Sequence, residues 1–297
     1  MGRPSLDRAG DRLTSDRFDV RSTTDAAEYR AVVAPLVERD PVLHSVLASN
    51  VDNAVAVTVP DALWMWLEAS GAPVAAAMHT PPRPPHLASE SAEEGVRFAD
   101  FLAGAGREVT GVGGLRAAAV GFATRWRELT GCAVSTAMEQ GVYVFADPTA
   151  PTGVPGALRA AAPAEARLLN AWAAGFTADI RDGHPPAVDV LTARIDRGEM
   201  WVWDDGQPVS MTYTSPAHGG VSRISWVYTP PALRGNGYAS ACVYGASVQQ
   251  VARGHRCMLY TDLANPTSNA IYQAVGYRRH GDSVLLAFEG SAAAVVR

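Results

Sequence analysis

The run Thr229–Ser240, TPPALRGNGYAS, sets one arginine and two glycines directly before an uninterrupted helical stretch. Gly235 and Gly237 let successive backbone N–H groups turn into one concavity. The helix start adds free donors and the positive end of its dipole, and Arg234 adds a permanent charge. Such a loop, taken from Arg234 through Gly235, Asn236, Gly237, Tyr238 and Ala239 to Ser240, suits a pyrophosphate. The same pattern also fits an ordinary Gly-rich strand-to-helix turn. A second constellation follows in Asn265-Pro266-Thr267-Ser268-Asn269-Ala270-Ile271-Tyr272. Asn265 suits an N-cap and Pro266 the first helical position. Asn265, Ser268, Asn269 and Tyr272 then fall at i, i+3, i+4 and i+7, a neutral hydrogen-bonding stripe on one face. Ile271, Ala274 and Val275 fall opposite and are expected to pack on a sheet. A merely capped surface helix is the plainer alternative.

Other chemistries lack their residues. All 25 basic residues are arginine, so neither a lysine Schiff base nor a Walker-type phosphate lysine is available. Seven histidines (His44, His79, His86, His184, His218, His255 and His280) are scattered without ligand spacing, and no metal site is expected. No G-x-S-x-G elbow occurs. The three cysteines include no CxxC pair, which fits a reducing compartment, and Cys242 reads as a small buried hydrophobe. The net charge of −5 gives no reason to expect nucleic acid or an anionic membrane as partner. The charged N-terminal stretch has no apolar h-region, and position 6 is Leu6 where myristoylation wants Ser or Thr. A cytoplasmic location is expected.

These residues need elements to hold them. The Pro/Gly-rich stretch Asp147–Gly156 divides the chain almost in half and predicts two domains, 1–150 and 151–297. Each half contains a Trp-x-Trp strand followed by a hairpin turn: Trp64 and Trp66 before Gly71, and Trp201 and Trp203 before Gly206. A duplicated α/β unit accounts for this economically. In the second half, strands are expected at 156–162, 200–204, 208–214, 221–229 and 258–264. Helices are expected at 164–180, 187–198, 237–253 and 266–275, and two short closing strands near 277–280 and 283–288.

The second half resembles the GNAT superfamily of acyl-CoA-dependent N-acyltransferases. Arg234, Gly237 and Ala239 match its pyrophosphate motif, and Asn265, Tyr272, Gly276 and Tyr277 match its strand-then-helix element. The resemblance covers about residues 156–290. It implies an α/β (α+β) chain of two tandem GNAT-like domains, each a mixed, mostly antiparallel sheet flanked by helices. It implies acetyl-CoA as co-substrate, with its pantetheine arm between the strands at 221–229 and 258–264. Backbone contacts would come from Val227, Tyr228 and Thr229 and phosphate contacts from residues 235–240. Asn265 would hold the arm, and Tyr272 would protonate the departing thiolate.

Acyl transfer from a thioester to an amine needs an oxyanion donor, a neutral amine and an acid for the sulfur. A backbone N–H near Val227 can supply the first. A tyrosine, with an ordinary pKa of about 10, suits the third. No base is evident: the central strand offers Arg223, Ser225 and Tyr228, and Asp262 reads equally well as an ion-pair partner. In the first half, Glu90, Glu93 and Glu94 stand where phosphates would bind. Phe122, Ala123 and Trp126 replace the polar stripe. That half therefore reads as a degenerate copy. The expectation is an N-acetyltransferase acting on a small amine or peptide amine, with a homodimer as one option. The alternative is a non-catalytic acyl-CoA-binding sensor.

Overall fold

A computed structural model of the chain describes residues 19–180 and 186–290. The N-terminal stretch with Leu6, and His184, lie outside the described residues. The elements in chain order are β1 (Asp19–Thr23), α1 (Ala26–Arg39), α2 (Ser45–Ala56), β2 (Leu63–Ala69), β3 (Ala72–His79), β4 (His86–Ala88), α3 (Ala92–Gly104), β5 (Gly111–Leu115), α4 (Arg116–Thr130) and β6 (Ala133–Phe145). There follow β7 (Ala157–Ala160), α5 (Ala166–Ile180), α6 (Val188–Asp196), β8 (Met200–Asp204), β9 (Pro208–Thr214), β10 (Val221–Tyr228), α7 (Tyr238–Ala252), β11 (Arg256–Asp262), α8 (Pro266–Ala274) and β12 (Tyr277–Glu289).

Two compact units result, and they are not the continuous halves expected from the linker. Residues 19–39, 49–137 and 285–290 form one; 40–48, 138–180 and 186–284 form the other. β6 begins in the first unit and ends in the second, while β12 does the reverse. The linker does not mark a boundary because its start is fastened within the second unit. Ala146 and Asp147 both donate to Gly276 O, and Thr149 donates to Val275 O. Gly276 is required there: it has φ +108, and a Cβ would lie 2.0 Å from Asp147 O.

In the first unit β1, β2, β3 and β4 pair antiparallel in sequence, and β4 pairs parallel with β5. The end of β12 borders β5, with Phe288 N donating to Thr110 O. In the second unit the run β6-β11-β10-β9-β8-β7 pairs antiparallel except for β10 and β11, which are parallel. The two expected closing strands are one 13-residue strand, β12, because an extended chain accepts Gly281 without a break.

The second unit buries apolar residues on both sheet faces, as a sheet flanked by helices must. On the α7 face lie Tyr143, Phe145, Ile224, Val243, Leu259 and Tyr277. On the α5–α6 face lie Leu169, Trp172, Leu191, Val202 and Met211. Trp64, Trp66 and Trp201 are buried in their hairpins, so the repeated Trp signature serves packing.

Candidate functional site

β10 and β11 pair from Val221↔Arg256 to Ile224↔Leu259, and there the ladder stops. β10 nevertheless continues to Tyr228 against β9, and β11 continues to Asp262 against β6. The two strands therefore part at the middle of the sheet. Their facing backbone groups past the split need other partners.

On the β10 side the split coincides with a β-bulge. Ser225 pairs with Tyr213 and Tyr228 with Met211, so Trp226 and Val227 stand opposite Thr212 alone. Trp226 has φ +52, a left-handed conformation costly for an aromatic residue. The bulge reverses the alternation: Trp226 and Tyr228 pack towards α5 and α6, and Val227 towards α7. Tyr228 O accepts from Ser210 Oγ and Thr229 O from Arg234 Nε. A continuous β-rich run in the sequence carries no sign of this bulge.

Beyond the strand, a 3-10 turn at Pro231–Leu233 leads into the glycine loop. Gly235 has φ +85, and Gly237, the N-cap of α7, has φ +79. Arg234, Gly235, Asn236 and Gly237 are exposed, and the first-turn N–H groups of Tyr238, Ala239 and Ser240 have no acceptor within the helix. Arg234 does not point a free charge into this concavity. It is paired with Asp179 at 2.6 Å and bonded to Thr229 O at 2.9 Å, so it fixes the loop to the end of β10. Asn236 Nδ2 donates to Leu233 O, and Tyr238 OH to Asp205 at 2.8 Å.

Facing the split from β11, Asn265 caps α8 by accepting from Ser268 N at 3.0 Å. Asn269 Nδ2 donates to Asp262 O and Leu263 O, tying the helix to the strand end. Its Oδ1 is buried and has no donor. Tyr272 is half-buried and meets Tyr277 edge-on at 6.1 Å. Burial pushes its phenol up to about 12, against the lowering effect of the Ser268 hydroxyl. Of Ile271, Ala274 and Val275, only Val275 is fully buried; Ala274 is exposed because α8 is short and lies at the sheet margin. Behind Tyr272 the sequence reading missed a buried network, in which Tyr277 OH meets Ser247 Oγ at 2.6 Å and Cys257 Sγ at 3.4 Å. Asp262 is exposed and its carboxylate accepts from Ala264 N, a turn-forming role. Cys242 is fully buried, with its thiol pushed up to about 12 by burial.

The first unit presents none of this arrangement. At the start of α3, Glu94 Oε2 accepts from Ser91 N, Glu90 N and Ser89 Oγ, and Ser91 Oγ accepts from Glu94 N. A carboxylate of the chain thus already occupies the position an external anion would take. α3 and α4 meet backbone to backbone: a Cβ on Gly95 would lie 2.0 Å from Ala118 O, and one on Gly121 2.2 Å from Ala92 O. Phe122 and Trp126, the counterparts of the stripe, are buried and stack on Phe288.

Among the described residues no group of three or more His, Cys, Asp or Glu is placed to hold a metal ion. No helix is long and apolar enough to cross a membrane. Residues 167–277 match the family model described as acetyltransferase (GNAT) family. A search of curated proteins finds no match. Among solved structures, a GCN5-related N-acetyltransferase from Sphaerobacter thermophilus aligns with 91% of this chain and 95% of its own. Its TM-score is 0.59 at 17% identity. A GNAT-family acetyltransferase from Colwellia psychrerythraea aligns with 91% and 99% at TM-score 0.57 and 11% identity. A tandem GNAT protein from the clavulanic acid biosynthesis pathway aligns with 92% and 100% at TM-score 0.51 and 12% identity. Those identities speak for the fold, which the chain shares with GNAT acetyltransferases over nine-tenths of its length, and the family match speaks for the sequence of residues 167–277: that segment, which holds the parted strands, the glycine loop and Tyr272, is a GNAT acetyltransferase segment.

Proposed function

We propose that the second unit moves an acetyl group from acetyl-CoA to a primary amine, directly and without a covalent enzyme intermediate. The observation that carries this reading is the parting of β10 and β11, with a glycine loop at the foot of α7 and with Tyr272 and Val227 packed against the same apolar cluster. The residues present fit the co-substrate. The exposed loop at 235–237 and the half-buried first turn at 238–240 offer N–H donors at a helix start, suited to a pyrophosphate. Asn269 Oδ1 is a buried acceptor without a donor, suited to an amide N–H of the pantetheine arm. Asn265 and Ser268, engaged with one another, frame that end of α8. Val227, Tyr228 and Thr229 supply the strand edge.

Acetyl-CoA, when bound, supplies an activated thioester. Val227 N–H, in the bulge, donates to the carbonyl oxygen as negative charge develops there. The amine lone pair forms the new C–N bond as the C–S bond breaks. Tyr272 O–H gives its proton to the departing sulfur, which leaves as the thiol, and Tyr272 regains a proton from solvent. Its raised pKa keeps the proton in place until that moment. The amine's surplus proton passes to water, since Asp262 is committed to a turn and Asp179 to Arg234. Those same commitments favour a competing reading, a non-catalytic acyl-CoA-binding sensor. Free-thiol release from acetyl-CoA, measured with a panel of primary amines, separates the two: amine-dependent release supports transfer, and tight acetyl-CoA binding without release by any amine supports the sensor. Glu94 and the closed α3–α4 contact leave the first unit with no acyl-CoA of its own.

A further inference from the structure

On the α5–α6 face of the second unit, Arg194 of α6 lies between two aromatic rings. Its guanidinium carbon is 4.3 Å from the centroid of Tyr213 and 4.3 Å from that of Trp226. The rings themselves are 5.5 Å apart at an interplanar angle of 38°. Stacking holds the guanidinium plane and leaves its hydrogen-bonding edge uncommitted. One nitrogen of that edge, Nη1, is buried and has no acceptor among the described residues. A buried charged donor without an acceptor is costly, and a group that pairs with it offsets that cost.

The location of the clamp matters as much as its chemistry. Trp226 is the left-handed residue of the bulge and directly precedes Val227, the proposed oxyanion donor. A second arginine, Arg223, stands three residues earlier on β10, two residues before Ser225, which pairs with Tyr213 on β9. The nearby acid, Glu199, is already held by Arg197 through two bonds of 2.6 and 3.0 Å. Neither Arg194 nor Arg223 forms an ion pair among the described residues. The face beside the bulge therefore carries unbalanced positive charge, an odd choice for a site built only to receive a cationic amine.

We infer that Arg194, with Arg223, binds a carboxylate carried by the acceptor, so that the substrate is an amino acid or an amine of similar type with a free carboxyl group. This rests on the acetyltransferase reading for its context. Planar guanidinium and planar carboxylate match in a paired hydrogen bond, and the aromatic walls exclude water from it. The carboxylate held there places the acceptor nitrogen towards Val227 and the strand opening.

The test uses the full chain and acceptors in matched sets: an amino acid, its amide, and the amine lacking the carboxyl group. Calorimetry with the N-acetylated acid and its N-acetylated amide, in the presence of CoA, reads the anion site without turnover. The acid of at least one set is expected to bind about 10- to 100-fold more tightly than its amide, the range for a hydrogen bond to a charged group. Arg194→Met should abolish that preference and Arg194→Lys restore part of it. Arg223→Met, which leaves the clamp and the bulge alone, should lower it in an independently folded variant. Equal affinity for acid and amide throughout, or an unchanged preference in both methionine variants, overturns the inference. Thiol release then distinguishes the two failures. Acetylation of amines irrespective of carboxylate leaves the acetyltransferase reading intact and removes the anion site. Carboxylate binding without acetyl transfer keeps the anion site and removes the enzyme.

Discussion

Tyr272 is the side chain on which the proposed chemistry turns. Tyr272→Phe keeps the ring against Tyr277 and removes only the hydroxyl, so acetyl-CoA affinity should change little while turnover falls roughly 10²- to 10⁴-fold. The loss should appear equally in kcat and kcat/KM, as for an interaction made only in the transition state. Near-native single-turnover rates in the variant, on an established acceptor, would remove Tyr272 from the mechanism. The pH dependence has a definite sign. The active form of the donor is protonated, and its pKa is pushed up to about 12. Activity should therefore show no tyrosine-dependent downturn on passing the ordinary tyrosine value of about 10, and a downturn there that vanishes in Tyr272→Phe contradicts the burial argument. The position of Tyr272 was legible from helical spacing, since Asn265, Ser268 and Asn269 define its face. The role of Arg194 was not legible: α6, β9 and β10 contribute one residue each to the clamp, and no local pattern joins 194, 213 and 226.

At the level of elements, the glycine loop separates backbone strain from steric fit. Gly235 and Gly237 share the same left-handed φ, so alanine at either costs about 1–2 kcal/mol of conformational strain. A Cβ at Gly235 meets nothing within 4 Å, whereas at Gly237 it meets Val154 Cγ2 at 2.8 Å. Gly235→Ala should lower the melting temperature slightly, and Gly237→Ala should lower it further and weaken acetyl-CoA by displacing the loop. Gly237→Glu should abolish acetyl-CoA binding in a folded protein, by filling and charging the concavity. Calorimetric affinity unchanged in a folded Gly237→Glu variant would refute the phosphate assignment. This loop could be read from its residues because Gly and Pro act locally. The split between β10 and β11 could not, because ending a ladder between two β-rich runs depends on which strands lie outside them. The bulge at Trp226 escaped for a related reason: bulky, β-favouring residues predict a regular strand, and only packing towards α6 holds the exception.

At the scale of the whole chain, the two units should not be equal. Glu94 satisfies the donors at the start of α3, and Gly95 and Gly121 close the α3–α4 contact, so one acetyl-CoA should bind per chain. Glu94→Ala should cost roughly 1 kcal/mol through the lost cap and still leave that stoichiometry at one; two bound molecules per native chain would refute the inequality. Duplication was readable from the paired Trp-x-Trp hairpins, but the exchange of segments between units was not, since a Pro/Gly linker looks the same whether it joins domains or straps a strand. That exchange has a direct consequence for dissection at the linker. A fragment of residues 151–297 retains the family-matched segment and every residue of the proposed site. It lacks β6, whose residues Gln140–Val144 pair with all of β11 from Met258 to Asp262, and it loses Tyr143 and Phe145 from the core behind Tyr272. β11 would then expose an unpaired edge next to the opening that the site requires. The fragment should therefore fail to give a cooperative thermal transition or bind acetyl-CoA, although its sequence carries the complete motif set. Circular dichroism melting and calorimetry on the purified fragment test this directly. A cooperative fold with full acetyl-CoA affinity would show that β6 is dispensable and that the site is organised by β9, β10 and α7 alone.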